Sequence, residues 1–135
     1  MSPRRVLVVE DDALNARLFR KVLEKRLGCE VVVTEEPAEV LAILRRGEVQ
    51  LVIMDVSLHN SEFDGRPING VGICRLLKSE NSTARVPVLL ATAHAMRGDA
   101  ERLLADSGAD DYVSKPIVDH EAFAAQALGL MEEAA

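Results

Sequence analysis

Four short runs of apolar residues, rich in β-branched side chains, constrain the fold of this chain most strongly. They are VLVV (6–9), VVV (31–33), LVIM (51–54) and VLLAT (88–92). A strand with one face in water alternates apolar and polar residues, whereas a continuous apolar run is typical of a strand buried on both faces. The pattern therefore predicts a parallel sheet that is covered by helices on both sides.

Helical patterns lie between these runs, so strand and helix alternate along the chain. After the first run, Leu14, Leu18 and Val22 recur at i, i+4 and i+8, and Gly28 supplies a helix stop. A weaker fifth strand is predicted at DYVS (111–114). Further helices are predicted around Val40, Ile73, Leu103 and, after an Asp119 cap, Phe123. Five such units with right-handed crossovers predict a doubly wound, three-layer α/β sandwich.

Length, composition and charge narrow the class of protein. The 135 residues, 48% of them hydrophobic, predict one domain over 1–135 with its core at about 4–131. The net charge of −6 and an aromatic content of 3% argue against a nucleic-acid-binding surface. No apolar run suits a membrane span or a secretory signal, so the protein is predicted to be cytoplasmic and not bound to a membrane.

The third strand–helix unit is longer than the two before it. The runs begin at 6, 31, 51 and 88, so the third interval is 37 residues where the first two are 25 and 20. The excess lies in HNSEFDGRPING (59–70), a polar stretch that contains glycine and proline. We predict a long inserted loop over 59–70, and long loops in compact domains commonly carry function.

Polar and ionisable residues follow the strand ends, where open α/β sheets bind their ligands. Glu10 and Asp11 follow the first strand, Asp55 the third, and Thr92 and Lys115 the fourth and fifth. If strands one and three are neighbours, Glu10, Asp11 and Asp55 converge in one crevice. Carboxylates about 5 Å apart would repel by roughly 3 kcal/mol per pair at an effective dielectric of about 20. A divalent cation would offset this repulsion, and oxygen ligands in an open site favour Mg²⁺ (or Mn²⁺). The set suits phosphoryl transfer to the carboxylate of the third strand.

The motifs VLVVEDD, LVIMD, VLLATA and DYVSKP, in this order, resemble the receiver domain of bacterial two-component response regulators over about 4–131. The resemblance implies a flavodoxin-like (βα)5 fold with a five-stranded parallel sheet in the order 2-1-3-4-5. It implies that Asp55 accepts phosphate from a phosphohistidine of a sensor histidine kinase or histidine phosphotransferase. The implied metal ligands are Glu10, Asp11, Asp55 and the backbone carbonyl of Ser57. The residues implied to contact the phosphoryl group are Lys115 and Thr92.

The same resemblance implies how the signal leaves the domain. Thr92 moves towards the phosphoryl group, and Tyr112, three residues before the lysine, changes rotamer. These movements remodel a face built from the fourth helix, the fifth strand and the fifth helix, which binds a downstream protein. Because the receiver fills the chain and leaves no output domain, the predicted output is protein contact or onward phosphotransfer. No enzymatic activity is predicted beyond the protein's own phosphotransfer and autodephosphorylation.

The sequence departs from the family pattern around the phosphoacceptor. His59 stands where the family usually has proline, and the loop that normally returns to a glycine after a few residues here continues to Gly70. Glu10 stands where many members have aspartate. This glutamate and the stretch LATAHAMRGD (90–99) resemble stand-alone, DivK-like receivers.

Other classes of protein stay open at this point. One is a pseudo-receiver scaffold whose long loop binds a partner without phosphorylation, although the complete set of site residues argues against it. Another is an enzyme with an aspartyl nucleophile, which would need a second acid two residues after Asp55, where Ser57 stands. Taken singly, acids after a strand are commonly helix caps and Lys115 a solvated side chain. Their coincidence at four strand ends favours the phosphoacceptor site.

Overall fold

A computed structural model of the chain describes residues 3–58, 61–93 and 98–134. The long strands are β1 (Arg5–Val9), β2 (Glu30–Thr34), β3 (Leu51–Asp55), β6 (Val88–Thr92) and β7 (Asp111–Ser114). The helices are α1 (Ala13–Leu27), α2 (Pro37–Arg45), α3 (Gly70–Ser79), α4 (Asp99–Ser107) and α5 (His120–Ala134). Two short strands, β4 (Glu62–Phe63) and β5 (Arg66–Pro67), form a hairpin of their own.

The long strands pair in parallel in the order β2-β1-β3-β6-β7. Counted without the hairpin, this is the predicted order 2-1-3-4-5, which is confirmed. The chain reverses its direction of travel across the sheet between β1 and β3, where Val9 lies opposite Met54. Residues that follow β1 and β3 therefore meet at the carboxyl edge of the sheet, at the switch point where such sheets bind ligands.

Two separate cores lie on the two faces of the sheet, because successive strand residues point to opposite sides. On the side of α1 and α5, Val8 and Ile53 pack with Phe19 and Phe123, whose rings lie 5.5 Å apart. The other core contains residues of α2 and α3, with partly buried side chains of α4 against it. Every residue of β3 and β6 is buried, as their unbroken apolar runs predict.

Helix α1 buries most of the apolar stripe that its periodicity predicts, but not the first residue of that stripe. The buried residues of α1 are Ala16, Phe19, Val22 and Leu23. Leu14, which we expected to belong to the stripe, is 73% exposed. It lies in the first turn, at the carboxyl edge of the sheet, where the strands that cover the later turns have already ended. That part of the prediction is therefore wrong, because periodicity does not show where the sheet stops.

The ends of several helices lie where capping residues predict them. Helices α1 and α4 end directly before Gly28 and Gly108. Asp119 accepts a hydrogen bond from the Ala122 N–H at 2.9 Å and so caps α5 as predicted. Within the described residues, no helix combines the length and the apolar character that a bilayer crossing requires.

The inserted segment contains a hairpin rather than an irregular loop alone. Asp64 and Gly65 form its turn with φ angles of 53° and 77°, the left-handed conformation that Asp-Gly hairpin turns use. At its base, the Ile68 N–H donates to the Ser61 carbonyl at 3.1 Å. The buried Ser61 hydroxyl donates to the Glu35 carbonyl at 2.8 Å and ties the hairpin to the β2–α2 connection. His59, the departure from the family pattern that precedes the hairpin, lies outside the described residues.

Candidate functional site

The ends of three parallel strands bring a lysine and two acids together. The Lys115 Nζ atom lies 2.8 Å from Asp55 Oδ1 and 3.1 Å from Glu10 Oε1. The three side chains are 11%, 2% and 1% exposed, respectively. The predicted convergence of these residues is confirmed as geometry, although they are separated by 60 and 105 positions in the chain.

Backbone hydrogen bonds of the sheet place these side chains. Asp55 ends β3, and the following Val56 N–H donates to the Ala91 carbonyl of β6 at 3.0 Å. The Ser57 N–H then donates to Asp55 Oδ1 at 3.1 Å, which holds one carboxylate oxygen in place. On the other side, the Lys115 N–H donates to the Thr92 carbonyl at 2.8 Å. The strand ends themselves therefore set the geometry of the site.

Glu10 is held in the same way. Its N–H donates to the Thr34 carbonyl at 3.2 Å, which extends the pairing of β1 with β2 by one residue. Its Oε2 atom accepts a hydrogen bond from the Asp12 N–H at 3.2 Å, while Oε1 faces Lys115. Asp12 in turn caps α1 through the N–H groups of Leu14 and Asn15. Of the three consecutive acids, Asp12 therefore caps the helix, whereas Glu10 faces the lysine.

The electrostatics of the pocket are those of a buried, coupled acid pair beside one cation. Burial, and then the neighbouring Asp55, raise the pKa of Glu10 to about 7. Burial acts to raise the pKa of Asp55 too, but hydrogen bonds to Glu10 and Lys115 outweigh it and leave that pKa below its ordinary value. Burial lowers the pKa of Lys115, and its two carboxylate partners outweigh this and raise it. Asp55 is thus kept as a charged carboxylate inside the protein.

The pocket also offers a set of ligands that fits a divalent cation. Glu10, Asp11 and Asp55 each present a carboxylate oxygen, and these oxygens lie within 4.8 Å of one another. Asp11 is half-buried, and the other two are buried. Oxygen-only ligands at an edge that opens to solvent are the set that Mg²⁺ prefers in proteins. The donor chemistry of this site therefore fits the predicted cation.

The other predicted site residues lie at different distances from the pocket. Thr92 ends β6 and is 2% exposed. Ser57 is exposed two residues after Asp55. Tyr112 lies further back in β7, where its half-buried side chain packs against the core on the α3 side. Its backbone carbonyl accepts a hydrogen bond from Gln126 Nε2 of α5 at 2.8 Å, so the strand is tied to that helix.

Sequence reasoning missed two exposed apolar side chains at this edge of the sheet. Leu14, in the first turn of α1, is 73% exposed, and Val118, three residues after Lys115, is 87% exposed. Nothing in the periodicity of α1 indicates the exposure of Leu14. For Val118 the signal was its position two residues after Pro116, in a connection between a strand and a helix, a kind of segment that normally lies on the surface.

The fold and the pocket indicate the class of protein, and comparison with known proteins shows the family to which the chain belongs. The model of the response regulator receiver domain matches residues 6–127. The chain therefore belongs to the response regulator receiver family.

Among known relatives, the polar-differentiation response regulator DivK of Brucella anthropi is 35% identical over 115 residues, which are 85% of this chain and 86% of the relative. DivK of Brucella ovis is 34% identical over 84% of this chain and 85% of its own length. The predicted resemblance to DivK-like receivers is confirmed. The stretch 90–99 that suggested it extends in part outside the described residues.

Solved structures confirm the flavodoxin-like receiver fold. The receiver domain of a Pseudomonas aeruginosa sensor histidine kinase, whose active-site cleft coordinates a magnesium ion, aligns with a TM-score of 0.79 at 23% identity. The alignment covers 97% of this chain and 99% of that domain. The receiver domain of the Francisella response regulator 1452 aligns with a TM-score of 0.80 at 19% identity, over 98% and 99% of the two chains.

Proposed function

We propose that this protein is a phosphorylation-controlled signalling module in which Asp55 accepts a phosphoryl group from a phosphohistidine with the help of Mg²⁺. One observation carries the proposal: Lys115 Nζ lies 2.8 Å from Asp55 Oδ1, beside three carboxylate oxygens within 4.8 Å of one another. One acid would balance the charge of the lysine, yet Glu10 and Asp55 are both buried beside it and Asp11 is a third acid in the pocket. The additional acids are instead explained by a cation that lies beside the phosphoacceptor.

The chemistry follows from the charges. A carboxylate oxygen of Asp55 forms a bond to phosphorus while the bond from phosphorus to the imidazole nitrogen breaks, and the bonding electron pair stays on that nitrogen. Lys115 and the Thr92 hydroxyl contact the phosphoryl oxygens, whose negative charge the lysine partly neutralises. Glu10, Asp11, Asp55 and the Ser57 carbonyl hold Mg²⁺ (or Mn²⁺), which supplies further charge neutralisation.

Phosphorylation then changes the binding surface on the α4–β7–α5 side, which we call the output face. The new phosphoryl oxygen draws Thr92 inward, and Tyr112 changes rotamer in the space beside α4. Support for this coupling is that Thr92 lies opposite Ser114 of β7 in the sheet register, two residues beyond Tyr112. A downstream protein binds the changed face. We place this protein in the cytoplasm, without direct nucleic-acid binding, as one receiver unit.

The phosphodonor approaches over the carboxyl edge of the sheet, because Asp55 is the last residue of β3 at that edge. The exposed Leu14 and Val118 follow two of the strands that end at this edge. They supply an apolar contact for a protein donor that a small phosphodonor does not need. Leu14→Ser is therefore expected to slow transfer from a phosphohistidine protein and to leave phosphorylation by acetyl phosphate unchanged.

Intact-mass measurement tests the phosphoacceptor. Incubated with acetyl phosphate and Mg²⁺, the wild-type protein should gain the mass of one phosphoryl group, and Asp55→Asn should gain none. Asp64→Asn is the matched control, because Asp64 is an exposed acid with a φ of 53° that asparagine adopts readily. Acyl phosphates hydrolyse, so beryllofluoride binding is measured in parallel. Equal gain in Asp55→Asn and the wild type would overturn the proposal.

Mg²⁺ titration separates this function from a phosphorylation-independent scaffold. If the pocket binds the ion, a concentration about 100 times the Kd should raise the free energy of unfolding of the wild type by about 2.7 kcal/mol. The increase should be lost or much reduced in Asp55→Asn and retained in Asp64→Asn. An equal response of all three proteins would favour the scaffold.

A further inference from the structure

The first residue of α3 lies against the backbone of the phosphoacceptor. A Cβ atom built on Gly70 would lie 1.9 Å from the Asp55 carbonyl oxygen and 2.7 Å from its carbonyl carbon. It would also lie 3.0 Å from Val56 Cα. The Gly70 N–H donates to the Val56 carbonyl at 3.1 Å. No side chain fits between α3 and this stretch without a shift of main chain, because the three nearest atoms that it would meet all belong to the backbone.

A second glycine, Gly72, lies two residues further along α3 and provides a contrast. A Cβ atom on Gly72 would meet Cγ1 of Ile68 at 2.7 Å and Cδ1 of the same side chain at 3.2 Å. Ile68 is half-buried at the end of the hairpin segment, and these nearest atoms belong to its side chain and not to the backbone. Both glycines lie in the first turn of α3, where alanine is the better helix former. They differ in what a Cβ atom would meet, which is main chain at Gly70 and chiefly the Ile68 side chain at Gly72.

We propose that Gly70 is a positioning residue: its contact with the Asp55–Val56 backbone holds the phosphoacceptor and the metal-binding segment 55–57 at their working geometry. The inference rests on the proposed function, since it assigns a role in that reaction. Two hydrogen bonds depend on this stretch of backbone, Val56 N–H to the Ala91 carbonyl at 3.0 Å and Ser57 N–H to Asp55 Oδ1 at 3.1 Å. A displaced Asp55 carbonyl would strain both, and with them the orientation of the carboxylate.

The contact lies where the inserted segment returns to the sheet. The segment leaves the sheet after Asp55 and returns only at Gly70, so the start of α3 is separated from β3 by the hairpin. The hairpin is anchored laterally, by Ser61 on the β2–α2 connection. The backbone contact of Gly70 is a direct link, among the described residues, between the returning chain and the phosphoacceptor itself. It fixes the start of α3 independently of the length of the inserted segment.

The test compares Gly70→Ala with Gly72→Ala. Folded fractions come from urea unfolding, and the rate of phosphorylation by acetyl phosphate at saturating Mg²⁺ is divided by that fraction. Gly70→Ala is expected to react more slowly per folded molecule by on the order of tenfold to a hundredfold, as displacement of reacting groups by about an ångström does. Its amide NMR shifts should change at 55–57, whereas Gly72→Ala should keep the wild-type rate and the wild-type shifts at 55–57. A folded Gly70→Ala protein with the wild-type rate per folded molecule would overturn the proposal.

A second pair of variants decides the question if Gly70→Ala does not fold. Asn69→Ala removes the cap of α3, whose Oδ1 accepts the Gly72 N–H at 2.9 Å, and adds no atom at the contact. Its rate of phosphorylation per folded molecule should fall below that of Val22→Ala, which truncates a core side chain in α1, far from α3 in the sequence. Equal rates would overturn the proposal. If the wild type itself is not phosphorylated, the proposed function fails instead. The amide shifts of 55–57, measured without phosphate, then decide whether Gly70 positions the backbone.

Discussion

Two clusters of one cation and two carboxylates lie at opposite edges of the same sheet, and β1 connects them. At the carboxyl edge, Lys115 contacts Glu10 and Asp55 at 3.1 and 2.8 Å. At the amino edge, Arg5 contacts Glu30 and Glu48 at 2.8 and 2.7 Å. The distances are nearly the same, so contact geometry alone does not distinguish a functional site from a surface ion pair.

Burial distinguishes the two clusters. The side chains at the carboxyl edge are 1–11% exposed, whereas those of Arg5, Glu30 and Glu48 are 33%, 51% and 59% exposed. Water screens the amino-edge pairs, which therefore contribute little and depend on salt. At the carboxyl edge burial, and then the neighbouring Asp55, move the pKa of Glu10 to about 7. The comparison teaches that desolvation at the end of parallel strands makes an acid pair chemically useful.

The largest effect on stability is expected from removal of the buried positive charge of Lys115. Lys115→Met leaves the carboxylates of Glu10 and Asp55 buried without their partner, so the free energy of unfolding should fall by about 3 kcal/mol at neutral pH. Urea unfolding without added metal measures it, and Lys25→Met, on the exposed face of α1, is the control. An unfolding midpoint equal to that of the wild type would show that burial does not separate the two edges.

The pH dependence of stability should come next in size. Folded Glu10 has a pKa of about 7 where the ordinary value is 4.5, so between these pH values the folded protein holds a proton that the unfolded chain releases. Stability that is present below pH 4.5 is then lost as the pH rises through about 7, by up to about 3 kcal/mol in the metal-free protein. The lowered pKa of Asp55 acts below its ordinary value of 3.8, outside this window. Glu10→Gln should reduce the dependence of the free energy of unfolding on pH, and Glu24→Gln should not. Equal slopes of this free energy against pH in the two variants would contradict the expectation.

An exposed pair with good geometry sharpens the comparison. Arg45 donates to Glu80 through Nε at 2.8 Å and Nη2 at 2.6 Å, and these contacts, with a hydrogen bond from Ser82, lower the pKa of Glu80 to about 2. The pair contributes stability above the ordinary pKa of 4.5, and loses it as the pH falls through about 2. Arg45→Ala should return the pKa of Glu80 towards its ordinary value, as followed by carboxyl NMR, with little change in stability at neutral pH. Arg46→Ala is the matched control, and an unchanged Glu80 titration in Arg45→Ala would refute the assignment.

The smallest effect is expected at the amino edge itself. Arg5→Ala removes two ion pairs at once, yet both carboxylate partners stay solvated, so the urea midpoint should change only slightly and not at all in high salt. The Arg5 N–H would still donate to Gln50 Oε1, so the start of β1 is unaffected. A loss as large as that of Lys115→Met would remove the distinction between the two edges.

Much of the fold follows from local patterns. The unbroken runs of β3 and β6 predict strands buried on both faces, and each residue of both strands is buried. Caps such as Asp119 and stops such as Gly28 also lie where local chemistry places them. The exposure of Leu14 could not be predicted in this way, because it depends on where the sheet ends and not on the helix period.

The insertion shows the same limit at the site. Its polar composition predicted a long loop over 59–70, and the Asp-Gly pair at 64–65 was a hairpin signal within it that the prediction did not include. The attachment of Ser61 to Glu35 is a contact between segments 26 positions apart, and no local pattern encodes it. The same holds for the contact of Gly70 with Asp55, which depends on how closely a helix approaches a strand.

By itself the sequence determined the class of fold, the ends of the strands and the identity of the residues that follow them, because these depend on hydrophobic pattern and nearest-neighbour chemistry. Only the tertiary structure decided which of those residues meet and how deeply they are buried. Glu10 and Lys115 are 105 positions apart, and their contact follows from the order in which the strands lie in the sheet. Burial is a property of everything that packs around a group, so the charge state of the pocket is a result of the assembled fold.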